Sequence, residues 1–457
     1  MNSLRNIVGN RNGNCTFEYE HIKLKARIMT HRRQFIRQAA TAIGTASLLP
    51  QLALAGNRML NEEISNYLNQ HRDIEPNDET FWALIRQAYT VSPQIINLNN
   101  GGVSPQPESV QRAMIRFYEL CNEGPSYYMW QILDQGREPL RRRLADLAGC
   151  DAEELAINRN ASEALETVIF GLRLNTGDEV VLSKQDYPNM INAWKQREKR
   201  DGIVLKWVNH NLPSEDANLL TESYTREFTP RTKVVQITHV INWNGQVLPS
   251  KMIADAAHQK GIEVLIDGAH SFAHLEYNIP DLGGDYFGTS LHKWLSAPFG
   301  SGLLWVKKEK IANLWPMLAA PDPESPDIRK FEALGTRNFP IEHAIGEAID
   351  FQEMIGSKRK QLRLWYLKNY WTSRVREFKG VSIGTPKSSE WSGAIGLLQF
   401  EGKTPGEVSS ALFTKYRIHT VAIEWENIKG VRITPHVYTS IKDLDLLVKG
   451  IQEIATS

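Results

Sequence analysis

Between about residue 136 and residue 306 the chain alternates short β-branched apolar runs with segments whose apolar residues recur every three or four positions. Leu155–Ile157, Glu179–Leu182, Ile203–Trp207, Val234–Ile237, Val264–Ile266 and Leu303–Val306 read as strands. Helical patterns lie between several of them, such as Ser250–Lys260, closed by Gly261. Strands separated by helices predict an α/β fold, with a mostly parallel, doubly wound sheet flanked by helices. Upstream, residues 57–90 carry helical spacing in Ile64, Tyr67 and Leu68, and again in Phe81, Ile85 and Ala88 after Pro76. Ile95–Leu98 then reads as a strand running into the turn-rich Asn99-Asn100-Gly101-Gly102 and Ser104-Pro105. Past residue 340 the pattern predicts one long charged helix, Glu342–Trp371, a strand at Ile395–Phe400, a further helix, and a late strand near Val431–Ile433. The expected organisation is an N-terminal extension over 1–55, helices over 56–94 belonging to a small domain, a large domain over 95–340, and a smaller α+β domain over 341–457.

Composition narrows the class. Of the 457 residues 42% are hydrophobic and 23% charged, which is globular usage. No apolar run reaches the roughly 18 residues of a spanning helix, so no stable membrane insertion is expected. A formal net charge of +1 gives no case for nucleic acid. That total hides an asymmetry. Residues 1–55 hold eight basic and two acidic side chains; the other 402 hold 45 and 50. His31-Arg32-Arg33-Gln34-Phe35-Ile36-Arg37 precedes a mildly apolar stretch, Ala39–Leu54, that ends in Ala53-Leu54-Ala55. This order resembles a twin-arginine signal peptide cut near Ala55, implying the twin-arginine export machinery as a partner and a periplasmic or otherwise exported protein. An N-terminal amphipathic helix is the plainer alternative. Met29 stands just before the motif, so the start codon is Met1 or Met29. Cys15 falls within this head, leaving Cys121 and Cys150, too few for a disulfide framework.

Ligands of parallel sheets bind at the carboxyl ends of the strands. The nucleotide loops GxGxxG and GxxxxGK[ST] and the zinc motif HExxH are all absent. The strand Val264–Ile266 ends instead in Asp267-Gly268-Ala269-His270, and Ser290-Leu291-His292-Lys293 follows before the Gly300-Ser301-Gly302 turn. Alone, Asp267 reads as a turn residue and Lys293 as a solvated lysine. In this order they match what pyridoxal phosphate chemistry requires: an amine to hold the cofactor as a Schiff base and an anion beside its ring nitrogen. A second segment, Asn158-Arg159-Asn160-Ala161-Ser162-Glu163, follows a strand, and Asn160 with Glu163 forms a capping-box pattern. Such a helix start suits a phosphate dianion.

These motifs resemble the class-V aminotransferase family of fold-type I pyridoxal phosphate enzymes, and in it the isopenicillin N epimerase-like and cysteine desulfurase-like subgroup. The resemblance covers roughly residues 95–440. It implies Asp267 as partner of the pyridine nitrogen, Lys293 as the Schiff-base lysine, and His270 near the phenolic oxygen. Ala161, Ser162, Ser290 and His292 would hold the phosphate, and Tyr187 of Asp186-Tyr187-Pro188-Asn189 would stack on the ring. Thr238, His239 and Asn242 would lie near the cofactor oxygen or substrate. Gly335 and Thr336 of Gly335-Thr336-Arg337-Asn338 resemble a loop reaching the neighbour's phosphate site, which implies a homodimer with shared active sites. Arg432 would grip the substrate carboxylate, beside an entry loop containing Asn100. No metal is implied.

The function so implied is a pyridoxal phosphate-dependent aminotransferase-like enzyme acting on an amino acid or an amine derived from one. The alternatives are an epimerase, lyase or decarboxylase tailoring an exported peptide or siderophore, and, in another class, a non-catalytic binding protein for pyridoxal phosphate or amino acids. Desulfurase chemistry needs a mobile cysteine late in the chain, and none follows Cys150.

Overall fold

A computed structural model of the chain describes residues 60–71 and 73–456. The twin-arginine segment and its cleavage site lie outside the described residues. The body from Glu63 onward forms one compact unit built on two main sheets.

The strands in chain order are β1 Ile96–Asn97, β2 Leu155–Asn158, β3 Glu179–Ser183, β4 Val204–Val208, β5 Thr232–Thr238, β6 Glu263–Asp267, β7 Tyr286–Ser290, β8 Gly302–Val306, β9 Val381–Ile383, β10 Gly396–Phe400, β11 Ile418–His419, β12 Val421–Trp425 and β13 Ile428–Ile433. The seven-stranded sheet has the order β2-β8-β7-β6-β5-β3-β4. All its pairings are parallel except those of β8, which runs antiparallel to both β2 and β7. The expected α/β class with a mostly parallel sheet is what forms.

Alternation along each strand feeds two cores. Val180 and Leu182 pack with Val234, Leu265 and the helices Ala161–Gly171 and Pro188–Asp201. Val181 points the other way, with Val235, Ile266 and Phe287, toward the helices Ser250–His258, Ala217–Thr225 and Phe339–Ile355. Helices on both faces explain why β3, β7 and β8 are buried at every position.

The second sheet, β12-β13-β10-β9, is antiparallel. Leu398, Val431 and Ile433 on one face pack against Leu367, Trp371, Leu412, Leu444 and Leu447 of three helices. β1 pairs with β11 in parallel, and so ties the early strand to this late region.

The long charged helix expected over Glu342–Trp371 is two helices, Phe339–Ile355 and Ser357–Val375. Gly356 adopts φ +86° between them, a conformation that suits glycine and ends the first helix. The Ser250 helix closes at His258, and Gln259–Gly261 form its terminal turn.

One buried ion cluster fastens the edge of the large sheet. Arg141 is fully buried, and its Nη2 donates to Glu332 Oε2 at 3.0 Å while its Nη1 donates to the Leu155 carbonyl at 2.7 Å. Glu332 also accepts the Ile157 N–H at 2.6 Å and pairs with Arg137. Removing this carboxylate takes the two-oxygen partner from a fully buried guanidinium and leaves it Glu138 and the Leu155 carbonyl. Glu332→Ala is therefore expected to cost about 3–5 kcal/mol, read as a fall in the urea midpoint with an unchanged slope. A loss below about 1 kcal/mol would show that the cluster behaves as an exposed pair.

Candidate active site

The carboxyl ends of β3, β5, β6 and β7 and the start of the Ala161–Gly171 helix surround one cavity of about 330 Å³. Asp267 is the last residue of β6, and Lys293 follows β7 by three positions. Both line the cavity.

The Lys293 amine lies 3.1 Å from His270 Nε2. Burial pushes its pKa down to about 8; Asp267 pulls it back up and Arg432 adds to the depression. His270 itself is held well below the usual histidine range, first by burial and then by the Lys293 charge. It is neutral, and beside an ammonium its Nε2 accepts, which puts the ring proton on Nδ1. Asp267 is buried and takes one hydrogen bond, from the Ala269 N–H to Oδ1 at 2.9 Å. Burial raises its pKa, against that bond and the Lys293 charge.

Asn160 caps the Ala161–Gly171 helix, its side chain accepting the Glu163 N–H at 2.9 Å. The reciprocal half of the expected capping box is shifted by one residue: Glu163 accepts the Arg159 N–H at 2.6 Å and pairs with the Arg159 guanidinium. Ala161 and Ser162 line the cavity in the first turn, where helix N–H groups lack partners within the helix. Ser290 Oγ accepts the Ala161 N–H at 2.8 Å and locks β7 to that turn.

Arg432 is brought in from β13 of the second sheet. Its Nη1 donates to the Asn242 carbonyl at 3.0 Å and its Nη2 to Asn99 Oδ1 at 3.0 Å, so the fork is oriented before any ligand arrives. Burial pushes its pKa down to about 10.

Of the residues expected at the site, Ala161, Ser162, Tyr187, Thr238, Asn242, Asp267, His270, Ser290, His292, Lys293 and Arg432 share this cavity. His239 does not; its ring packs edge-on against Tyr277. Nor does Asn100. Its amide donates to the carbonyls of Asn97 and Thr434, and its Oδ1 accepts from Tyr438, so Gly101 and Gly102 line the cavity in its place. Gly335 and Thr336 are exposed and outside the cavity of their own chain, and Arg337 is bound by Glu342 at 2.6 Å. Neither described cysteine reaches the cavity: Cys121 packs with Leu133 and Phe339, and Cys150 against the main core.

Two residues behind the site had no motif to announce them. Asp186 is buried at the end of β3 and accepts from Ser183 N, Gln236 Nε2 and Thr238 Oγ1 at 2.9, 3.0 and 2.6 Å. Burial lifts its pKa to about 7. His274 is a strut. Its Nε2 accepts the Ala394 N–H at 2.7 Å, which leaves its Nδ1–H to donate to the His270 carbonyl at 2.7 Å. Its ring stacks on Trp294, centroids 3.8 Å apart. A side chain at Gly393 would lie 2.2 Å from this ring, so only glycine permits the approach. The periodicity of Asp267–His274 fits no regular element, which is why the role was not legible.

The site fits pyridoxal phosphate. Asn242 Oδ1, His270 Nδ1, His292 Nδ1 and Arg432 Nε are buried polar atoms without partners, and all four residues line this one cavity. Unmade hydrogen bonds of this kind are costly unless a ligand completes them. The amine, the carboxylate, the helix start and the Tyr187 ring supply the remaining contacts such a molecule needs.

These features define a fold-type I pyridoxal phosphate enzyme. The chain belongs to the class-V aminotransferase family, whose model matches residues 96–446. It is similar to isopenicillin N epimerase of Streptomyces clavuligerus, 27% identical over 391 residues covering 82% of this chain and 98% of that protein. A probable cysteine desulfurase of Halalkalibacterium halodurans is 26% identical over 403 residues, covering 81% and 97%. Among solved structures, the apo cysteine desulfurase from Thermococcus onnurineus NA1 superposes with a TM-score of 0.72 at 22% identity, covering 81% of this chain and 97% of that one. A cystine C–S lyase in complex with cysteine persulfide gives 0.71 at 20% identity, covering 79% and 98%. At these identities the structural likeness establishes the fold.

His274 yields a test of the strut. His274→Phe keeps a flat ring but leaves a buried N–H and carbonyl unpaired, an expected cost of about 2–4 kcal/mol. His274→Gln, with one donor and one acceptor, is expected to lose less than half of that. Urea unfolding of both variants checks the order; equal losses would show that stacking alone matters.

Proposed function

We propose that the protein is a pyridoxal phosphate-dependent, aminotransferase-like enzyme acting on the amino group of an amino acid or an amine derived from one. The observation that carries this is the convergence of the Lys293 amine, the Asp267 carboxylate and the pre-oriented Arg432 fork on one cavity. When bound, the cofactor supplies an electron sink that makes the substrate's α-proton acidic. The residues do the rest. Lys293 Nζ would hold the cofactor and would serve as the general base that takes the substrate's α-proton and returns it. Asp267 stabilises positive charge on the ring nitrogen, which also resolves its own burial. Ser162, His292 and the helix start seat the phosphate, Tyr187 covers one ring face, and Arg432 holds the substrate carboxylate in line with the amine.

Desulfurase activity does not follow from the relatives of that name. The transfer needs a thiol that can reach the cavity, no cysteine follows Cys150, and Cys121 and Cys150 pack elsewhere. Epimerisation and elimination share the Lys293 and Asp267 steps, decarboxylation shares the Asp267 step and the delivery of a proton, and all three remain the alternatives within the family.

A homodimer is part of this proposal. Tyr127, Trp130 and Ile132 are 58%, 52% and 45% exposed, and Ile115 and Tyr118 lie on the Glu108–Glu123 helix with 52% and 40% exposed. Five exposed large apolar residues within positions 115–132 support an interaction surface there. Asn338 donates to the Tyr118 hydroxyl, which sets the Gly335-Thr336 loop against the patch, where a second copy would receive it. Export through the twin-arginine route is likewise proposed from Arg32 and Arg33.

Purified protein with pyridoxal phosphate is expected to be yellow, and Lys293→Ala to lose both the visible band and roughly 10²–10⁴-fold in turnover. An unchanged spectrum in that variant would refute the reading. Arg432→Leu is expected to raise KM for carboxylate-bearing amines about 10–100-fold, the worth of a charge-assisted hydrogen bond, with the visible band intact. For export, Arg32→Lys with Arg33→Lys is expected to empty the periplasmic fraction on cell fractionation; undiminished periplasmic protein would contradict it.

A further inference from the structure

Resting on the reading above, we propose that the substrate carries one carboxylate, next to its amino group, and a neutral, largely apolar side chain. The wall beside Arg432 carries this inference. Val421 of β12 is the direct cross-strand neighbour of Arg432 on β13, and Ile423, two residues on, faces the same way; both line the cavity. Trp243 continues the wall. Its indole N–H is spent on the Gln185 carbonyl at 2.9 Å, and its ring stacks on Trp425 with centroids 5.2 Å apart, so it offers the cavity carbon only. A molecule anchored by its carboxylate at Arg432 therefore has an aliphatic and aromatic surface next to the anchor.

Charge supplies the second half. Among the described residues that line the cavity, the cations are Lys293 and Arg432 and the carboxylate is Asp267. In the reading above, the cofactor engages Lys293 and Asp267, and the substrate's carboxylate engages Arg432. Burial holds His270 and His292 below the usual histidine range, and in the reading above His292 faces the cofactor's phosphate. A second carboxylate on the substrate would find no cation among these lining residues, and a side-chain ammonium no anion, so neither charge would be matched beside the anchor. A second copy of the chain does not alter this through the Gly335-Thr336 loop, since its cation, Arg337, is buried and paired with Glu342.

The test uses the holoenzyme and carboxylates that lack the amino group, with binding read from tryptophan fluorescence. Isocaproate and hydrocinnamate are expected to bind at least about tenfold more tightly than glutarate, the value of one unpaired polar group. Ile423→Ala is expected to weaken isocaproate several-fold while leaving glutarate little changed, and Val421→Lys to reverse the preference. Glutarate binding as tightly as isocaproate to the unaltered enzyme would overturn the inference, as would failure of all three to bind. Failure of the underlying function looks different: no amino acid would then change the visible absorption of the loaded enzyme. If amino acids do change it and the acidic ones act at the lowest concentrations, this inference alone falls.

Discussion

Stripping water from an ammonium costs several kcal/mol unless a carboxylate or a strong acceptor replaces it. Lys293 meets this constraint incompletely. Burial drives its amine down to about 8, Asp267 opposes the shift, and Arg432 reinforces it. Asp267 suffers the converse penalty, since burial raises its own pKa against one hydrogen bond, from the Ala269 N–H, and the charge of Lys293. An amine that gives up its proton easily and a carboxylate short of a cation are poor for stability and good for chemistry. Each is relieved by one ligand that presents a carbonyl to the amine and a cationic ring nitrogen to the carboxylate.

The architecture works because two sheets are fastened to each other at the cavity. Lys293 and Asp267 belong to the parallel sheet, and Arg432 to the antiparallel one. The separation between the chemistry and the carboxylate grip is therefore fixed by contacts between sheets. Arg432 donates to Asn242 beyond β5, and His274 joins the His270 carbonyl to the Ala394 N–H just before β10. β10 pairs with β13 and Leu397 lies opposite Arg432, so His274 is tied to the strand next to the one that carries the grip. The stacked Trp243 and Trp425 add a third tie; their indoles donate to the successive carbonyls of Gln185 and Lys184 in the loop that carries Tyr187.

The large sheet was legible because its strands are short apolar runs bounded by helical spacing, and burial on both faces leaves that pattern strong. The strand-end motifs were legible because Asp267 and Lys293 have no structural reason to occur in that order. What the sequence hid depends on pairing across long distances. Nothing local makes β8 antiparallel, and the helix break needs the positive φ of Gly356 rather than any loss of polar spacing. Asn100 looked like an entry-loop contact, yet its amide is consumed by Asn97 and Thr434, the latter more than 300 residues away. Asp186 and His274 carry ordinary polar letters; Asp186 takes its hydrogen bonds from β3 and β5, and His274 joins the His270 carbonyl to the Ala394 N–H just before β10. Val421 and Ile423 lie on β12, a strand the sequence pattern did not announce, and the register puts Val421 across from Arg432.

Desolvation by the fold makes the Lys293 amine available near neutral pH. The most direct measurement is the rate at which cofactor-free protein gains visible absorption on adding pyridoxal phosphate, followed as a function of pH with Lys293→Ala as background. Only the neutral amine captures the aldehyde, so a depressed pKa moves the rise to lower pH. The rate should climb with pH, pass its midpoint at about 8 and then level off. A rate that keeps rising past about pH 10, as for an ordinary exposed lysine, would contradict the account.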